Sequence, residues 1–264
     1  MKRNYYSVSQ ITKYQQCGMK YYYHYVEGRP VRPISDYALH GSSIDDAANS
    51  HFDGVIENDK GHTISEFVDK AVDFHDTNVD KYELVATKDK SESRDRVSIL
   101  GKTYHISYAK KFDPMITQYK VHEQHNNHKD FIGYVDLLTV DAKVVDNKVK
   151  KSMPMTQETM QNVLSRDLQL VKYADMTDMD TVGMAVVTNT KNPKAEYFEA
   201  TVTKQDKVIT NKLIKRVTDA IEANVFTPTD SQNWWCSAKW CDFWDTCDFG
   251  KRRKYKKDLT PLKN

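Results

Sequence analysis

Residues 131–149 read FIGYVDLLTVDAKVVDNKV, and this stretch decides the fold. Ile132, Val135, Leu137 and Leu138 give a short apolar strand. Val140-Asp141-Ala142-Lys143 marks a turn, and Val144-Val145 opens a second strand. The stretch is a β-hairpin punctuated by two acids, Asp136 after Gly133 and Asp146 just past the paired valines. Residues two apart in a strand share a face, so Asp146 and Lys148 project together. Asp136 reaches them from the neighbouring strand. Two carboxylates and an amine converging at the end of a small sheet suit a hard divalent cation with an oxyanion beside it. A lone D-x-K is common by chance, and turn acids on a solvated hairpin would look the same, so the weight falls on what flanks the stretch.

Immediately upstream, residues 118–123 (QYKVHE) read as a strand and residues 124–130 (QHNNHKD) as a polar turn. His122, His125 and His128 are read as solvated turn histidines, because the turn supplies no acidic or thiolate partner for a metal. Further upstream the spacing predicts three helices. One covers residues 35–58, with a small-residue face of Ala38, Leu39, Gly41, Ile44, Ala47 and Ala48 and with Asp45-Asp46 near its middle. The second covers residues 63–80, and the third runs through Val97, Leu100, Tyr104, Tyr108 and Phe112. Residues 88–96 are expected to be a charged, flexible break. At the start of the chain, Ser7 or Ser9 caps a helix carrying Ile11, Tyr14 and Cys17, and Gly18 is expected to end it. The aromatic run Tyr21 to Tyr25 is assigned to core packing ahead of base stacking.

Downstream, one helix is predicted over residues 157–176, with Gln169 and Tyr173 four apart on one face. Strands at 181–188 and 196–202 follow. Thr203 to Asp206 looks like a capped start to a helix reaching about 224. An aromatic, cysteine-bearing segment (234–249) and the basic run Lys251-Arg252-Arg253-Lys254-Tyr255-Lys256-Lys257 close the chain. Helices, a three-strand meander, a helix, two strands and a helix make an α/β fold with a central mixed sheet.

The 264 residues are 39% hydrophobic and 29% charged, which marks a globular chain long enough for a sizeable core. No apolar run approaches the ~20 residues of a membrane span. The start, MKRNYYSVSQ, lacks the apolar core of a signal peptide, so a cytoplasmic setting is expected. A net charge of +2 neither demands nor excludes a polyanion, and the basic run is a solvated terminus unless the core binds one. Three of the four cysteines, Cys236, Cys241 and Cys247, form C-x4-C-x5-C, and Cys17 stands alone. In a reducing compartment, four soft ligands with none to spare suggest a metal centre.

These ordered motifs resemble the PD-(D/E)XK nuclease superfamily, most closely its RecB-like iron–sulfur branch, which includes nucleases of recombination, of CRISPR adaptation and of phages. The opening SVSQITKYQQCGMKYYY is similar to that branch's S-x-S-x-L…Y…C-P-x-x-F entry, with Gly18 where proline is usual. Gly41-Ser42-Ser43-Ile44-Asp45 resembles its G-x-x-h-H helix motif. Gly133 to Asp136 matches G-x-x-D, Asp146 to Lys148 matches D-x-K, and Gln169 to Tyr173 matches Q-x-x-x-Y. The resemblance covers nearly the whole chain and implies a single domain, 1–264, with a restriction-endonuclease-like core. Its helical part would be about 1–117, its catalytic sheet about 118–225 and its cysteine-rich segment 226–264.

The resemblance further implies that Asp136 and Asp146 bind Mg²⁺ or Mn²⁺, with the Val149 carbonyl as a further ligand. Lys148 would orient water or stabilise charge, and Gln169 and Tyr173 would position the nucleic-acid strand. Asp45 stands where the family usually has a metal-binding histidine; a carboxylate suits Mg²⁺ at least as well. His40 or Asp46 could take that part instead, and Glu123 is read as a surface acid. Cys17, Cys236, Cys241 and Cys247 would hold a [4Fe–4S] cluster, with Zn²⁺ as the alternative, clipping the two ends of the chain together. The implied activity is a metal-dependent DNA exonuclease acting on DNA ends or single strands, in phage or bacterial recombination, repair or replication. A homo-oligomer or a phage recombination partner is in keeping with that branch. The rivals are a structure-selective endonuclease with the same residues, a catalytically silent DNA-binding module, and a zinc-stabilised structural protein.

Overall fold

The computed structural model describes residues 4–124, 129–153, 156–230 and 232–250. His125, His128 and the basic run 251–257 lie outside them. The chain divides into two compact units: Pro33–Glu123 with Ile132–Asn211, and Met1–Arg32 with Gln124–Phe131 and Lys212–Asn264.

In the first-named unit the hairpin forms as its sequence predicts, from β5 (Asp130–Thr139) and β6 (Lys143–Lys150), numbering elements along the chain. Ala142 adopts a left-handed φ of 59° in the turn. Strand β4 (Pro114–Glu123) pairs with β5 and is longer than its apolar pattern showed. Strand β6 pairs antiparallel with β5 and parallel with β7 (Thr181–Thr188), which pairs antiparallel with β8 (Ala195–Thr201). The sheet is therefore mixed, as expected. A second, two-stranded parallel pair joins β2 (Ile34–Ser35) to β3 (Tyr82–Glu83).

Alternation along β6 sorts the layers. Val145 joins a core built from α3 (Asp36–Asn58), α4 (Ile64–Asn78) and α5 (Lys90–Tyr108), where Ile44, Phe52, Phe67, Leu100 and Tyr104 are buried against Leu137, Ala185 and Val187. Helix α4 starts with a capping box between Thr63 and Glu66. Gly101 lets α5 lie against Ala71, Ile44 and Phe67, all 3.7 Å from where its Cβ would be.

Two expectations are corrected. Residues 88–96 are no flexible break: Asp89 caps α5 by accepting from the Glu92 amide at 2.8 Å, and Ser93 and Arg96 are buried. The approach to that helix is pinned by Asp36, whose carboxylate accepts from the amides of Val85, Ala86 and Thr87 and from the Thr87 hydroxyl. Charge in the sequence marked a capped helix with one buried polar edge and one solvated face. The single helix over 157–176 is two, α6 (Gln157–Leu164) and α7 (Leu168–Met176). Asp167 breaks the run because its side chain accepts from the Gln169 and Leu170 amides and restarts the helix there.

In the other unit β1 (Tyr5–Tyr6) pairs parallel with Asp130 and Phe131. Helix α1 (Val8–Gln16) starts after Ser7. Gly18 opens the short helix α2 (Gly18–Tyr21) where it was expected to end α1. A Cβ on Gly18 would sit 2.8 Å from the backbone of Thr227, so the glycine serves a close approach of two chain segments. Tyr21 and Tyr23, buried, pack against Phe226 and Phe243, the core role assigned to them. Helix α8 (Lys204–Glu222) opens on the expected Thr203–Asp206 box in the first-named unit, and its residues from Lys212 on belong to this one.

Candidate active site

Strands β5 and β6 are paired at Leu137↔Val145 and Leu138↔Val144. The next step in that register sets Asp136 opposite Asp146, and there a side chain takes over from the ladder. The Asn147 amide donates to Asp136 Oδ2 at 3.0 Å. The two carboxyls are within hydrogen-bonding reach of each other.

Other elements bring further groups to this point. From α7, Gln169 Nε2 donates to Asp146 Oδ1 at 2.9 Å, a contact made available by the Asp167 restart. Two residues along β6, Lys148 Nζ donates to Asp146 at 2.6 Å. From α3, Asp45 accepts from Asn147 Nδ2 at 3.3 Å and from Asn49 Nδ2 at 3.4 Å. Asn147 is held in turn by the Tyr104 hydroxyl of α5, which donates to its Oδ1 at 2.7 Å. Asn147 projects to the α3–α5 side of the sheet and Asp146 to the α7 side, so β6 brings polar groups of both layers together.

Crowding three carboxyls in a nearly closed place changes their acidity. Asp146 is only 4% exposed. Burial pushes it up to about 7; Lys148 works against that, and the charge of Asp136 adds to it. Burial also pushes Asp136 up, to about 6, with the Asp45 charge adding and Lys148 and the Asn147 amide opposing. Asp45 is raised by burial as well, against its bonds to Asn147 and Asn49 and the charge of Lys148. Burial disfavours the Lys148 cation, but Asp146 and Asp136 outweigh it and hold the amine above the ordinary lysine range.

Of the other residues expected here, Tyr173 is buried against Gly133 on β5, and burial lifts its phenol to about 12. The alternatives to Asp45 are otherwise engaged. His40 is buried between Ser93 and Asn189, and Asp46 faces Lys70 at 3.6 Å. Glu123 pairs with Lys172 of α7. The Val149 side chain packs on the helical core, its Cβ 4.0 Å from the place a Gly41 Cβ would take. Sequence reasoning missed Asn147 and Tyr104. The signal for Asn147 was the period of two: the middle residue of D-x-K must face the opposite layer, where α3 carries Asp45.

The donor set fits a hard cation in kind, since carboxylate oxygens suit Mg²⁺ or Mn²⁺ and a divalent charge would offset their mutual repulsion. The four cysteines, none of them in a disulfide with another described residue, line one cavity in their own unit, walled by Tyr23, Trp235, Phe243 and Trp244. The Thr229 amide donates to Cys17 Sγ at 3.4 Å, and burial raises the Cys241 thiol. An all-sulfur donor set fits an iron–sulfur cluster or Zn²⁺ in kind. Among the described residues, no three His, Cys, Asp or Glu side chains stand at metal-ligating spacing in either place. Among those residues, too, no helix is long and apolar enough to cross a membrane.

Comparison with known proteins gives the same frame. No curated protein is significantly similar in sequence. Among solved structures the chain is similar to a Eubacterium rectale protein provisionally named an exonuclease, with a TM-score of 0.55 and 15% identity over 99% of this chain and 90% of that one. It is also similar to a phage-related exonuclease of Haemophilus somnus, with a TM-score of 0.36 and 10% identity over 74% and 96% of the two chains. For LHK-Exo, solved in complex with dAMP, the TM-score is 0.31 and the identity 10%, over 71% and 93%. At these identities the first likeness speaks for the fold. The family model of the PD-(D/E)XK nuclease superfamily matches residues 5–248, from the first strand through the cysteine-rich segment, and the chain belongs to that superfamily.

Proposed function

We propose that this chain is a divalent-metal-dependent deoxyribonuclease, an exonuclease working on DNA ends or single strands. The observation that supports it best is the gathering of Asp45, Asp136, Asp146, Lys148 and Gln169 where β5 and β6 part. Asp136 and Asp146, with Asp45 from α3, would hold Mg²⁺ or Mn²⁺; the Val149 carbonyl is a further ligand in this reading. When bound, such an ion neutralises phosphate charge and makes water more acidic. Lys148 then exchanges its bond to Asp146 for the phosphate, where its charge stabilises the developing negative charge. Gln169 fixes Asp146 and, with Tyr173, positions the strand. The name carried by the Eubacterium rectale protein of similar fold agrees with exonuclease action.

The four cysteines are proposed to hold a [4Fe–4S] cluster, with Zn²⁺ as the alternative, in keeping with the RecB-like branch that the motifs resemble. Its role is structural: it joins Cys17 to the far end of the sequence and so closes a very long loop. Phage or bacterial recombination, repair or replication is the setting in keeping with that branch.

The test is an assay on end-labelled single- and double-stranded DNA with Mg²⁺, Mn²⁺ or EDTA. Wild type is compared with Asp146→Ala and Lys148→Ala. Metal-dependent degradation that both variants lose is the expected result, and the label pattern gives polarity and separates end from internal cleavage. A folded protein inert on every substrate would overturn the enzyme reading in favour of a silent DNA-binding module, with Asp45 as the disabling substitution.

A further inference from the structure

Away from the carboxylates, the unit that carries the cysteines has a cleft of about 610 Å³ between α1 and the C-terminal half of α8. Its size is that of a small-ligand site. The lining has two characters. Lys212 and Arg216, four apart and so on one face of α8, supply positive charge at one side. Tyr14, Leu213, Val217 and Pro228 supply an apolar wall.

Among the described residues, no aspartate or glutamate lines this cleft. Lys215 on the same helix is paired with Asp219 at 2.7 Å, whereas Lys212 and Arg216 have no acidic partner among the described residues. Both are exposed. The Tyr14 hydroxyl is already committed, donating to the Val225 carbonyl at 2.5 Å, which fixes the ring as part of the wall. Arg216 lies close enough to that phenol to oppose the rise that burial imposes on it. Two cations with no acidic partner among the described residues, beside an apolar wall that includes a tyrosine ring, suit a ligand with an anionic group on a planar body. Guanidinium and ammonium together are a phosphate-binding pair, and an aromatic wall accepts a base.

We propose that this cleft binds a nucleotide unit of nucleic acid, with Lys212 and Arg216 on its phosphate and Tyr14 beside its base. The proposal rests on the nuclease reading for its choice of ligand and adds a second strand-holding site to it. The phosphate could belong to a strand or to a released mononucleotide.

The experiment measures binding of labelled single-stranded DNA to the full chain in EDTA, over a range of salt, by fluorescence polarisation. The variants are Lys212→Gln, Arg216→Gln, their double, and Lys215→Gln as a control that removes one charge from the same helix outside the cleft. Glutamine keeps the long stem and these positions are exposed, so folding is preserved; thermal melts check it. The expected result is binding roughly tenfold weaker in each single variant. For the double, the slope of log affinity against log salt should be shallower by about 0.7, the share of the one phosphate that both cations hold on a single strand. The control should match wild type. Titration with dAMP separates the sources. Binding that the double variant loses assigns the site to a mononucleotide, and absence of dAMP binding beside the strand effect assigns it to a phosphate within the strand.

Strand affinity and salt slope unchanged in the double variant, or lowered equally by Lys215→Gln, would overturn the cleft. If the cleft variants lose binding while wild type cleaves nothing with metal, the cleft stands and the nuclease reading falls. If wild type neither binds nor cleaves DNA, both fall.

Discussion

Tyr173 lies directly over Gly133: a Cβ on that glycine would stand 2.4 Å from Tyr173 Cε1 and 2.8 Å from its hydroxyl. The glycine three residues before Asp136 and the tyrosine four residues after Gln169 are therefore one contact, made across β5 and α7. Gly133→Ala must push the ring aside, at a cost of about 1–3 kcal/mol in stability. It should also lower nuclease activity, because the helix that carries Gln169 moves with the ring. In Gly133→Ala/Tyr173→Ala the added methyl fills space the ring has left. The double variant should then lose less stability than the two single losses together, a coupling that thermal or denaturant melts of all four proteins measure. Strict additivity would mean the clash is relieved some other way.

Ser93 joins two buried histidines. Its Oγ is 2.8 Å from His40 Nε2 and 2.8 Å from His75 Nε2. One proton order satisfies the whole chain. Asn189 Nδ2 donates to His40 Nδ1, His40 Nε2–H to Ser93, Ser93 O–H to His75, and His75 Nδ1–H to Asp76. Ser93→Ala leaves both imidazoles without that partner in a fully buried place, at about 1–3 kcal/mol for each. At roughly 2–4 °C per kcal/mol for a chain of this size, the melting temperature should fall by at least several degrees. Cleavage by the folded variant at low temperature should be unaltered, which separates this network from the catalytic one.

The raised carboxyls make stability depend on pH in an unusual direction. Asp146 and Asp136 bind a proton more tightly folded, at about 7 and about 6, than at their ordinary 3.8. Between pH of about 4 and about 7 the unfolded chain ionises these groups first, so their contribution makes the fold less stable as pH rises. His40 has the opposite sign. Burial lowers it to about 4, so its contribution is present above its ordinary 6.5 and is lost as pH falls toward 4. The informative quantity is thus the difference between wild type and Asp146→Asn, melted in EDTA. The asparagine variant should gain relative stability as pH rises from about 5 to about 8. Mg²⁺ should stabilise wild type over the same range, most at the alkaline end, and should leave the variant nearly unmoved.

How far the sequence could be read follows from these same residues. The hairpin was legible because a period of two and a turn cluster are local signals. Placing Asp146 and Lys148 on one face followed from that period alone. The break at Asp167 was not legible, because apolar spacing runs on through it and only the cap geometry shows the restart. Residues 88–96 were misread because seven of the nine are charged, and a charged run looks solvated until Asp89 is seen as a cap and Arg96 as buried. Asn147 and Tyr104 escaped notice because their contact spans two layers, and no spacing within one element records that.

The four thiols make a claim that colour can test. Protein purified without oxygen should be brown and should contain iron. Cys17→Ser should bleach it as completely as Cys241→Ser, because both line the same cavity although they lie at opposite ends of the chain. A colourless protein with one equivalent of zinc would support the alternative ion, which is spectroscopically silent. A metal-free protein of unchanged stability would remove the centre altogether.

By resemblance, Asp45 stands where the RecB-like branch usually has a histidine, and its surroundings explain how a carboxylate is kept there. Asn147 and Asn49 each donate to it, and Tyr104 fixes Asn147 from behind. Those donors stabilise an anion and would have less to offer an imidazole. Asp45→Ala should abolish cleavage if Asp45 is a ligand. Asp45→His should retain part of it and shift the preference toward Mn²⁺, since imidazole favours softer divalent ions than Mg²⁺. Asn147→Ala leaves every ligand in place but frees Asp45. It should raise the metal concentration needed for half-maximal cleavage by about 10–100-fold, as the loss of a group that orients a ligand does. The measurement is the concentration of Mg²⁺ and of Mn²⁺ that gives half-maximal cleavage in each variant. An Asp45→His protein with an unchanged ratio between the two metals would place Asp45 outside the coordination sphere, leaving Asp136 and Asp146 to hold the ion alone.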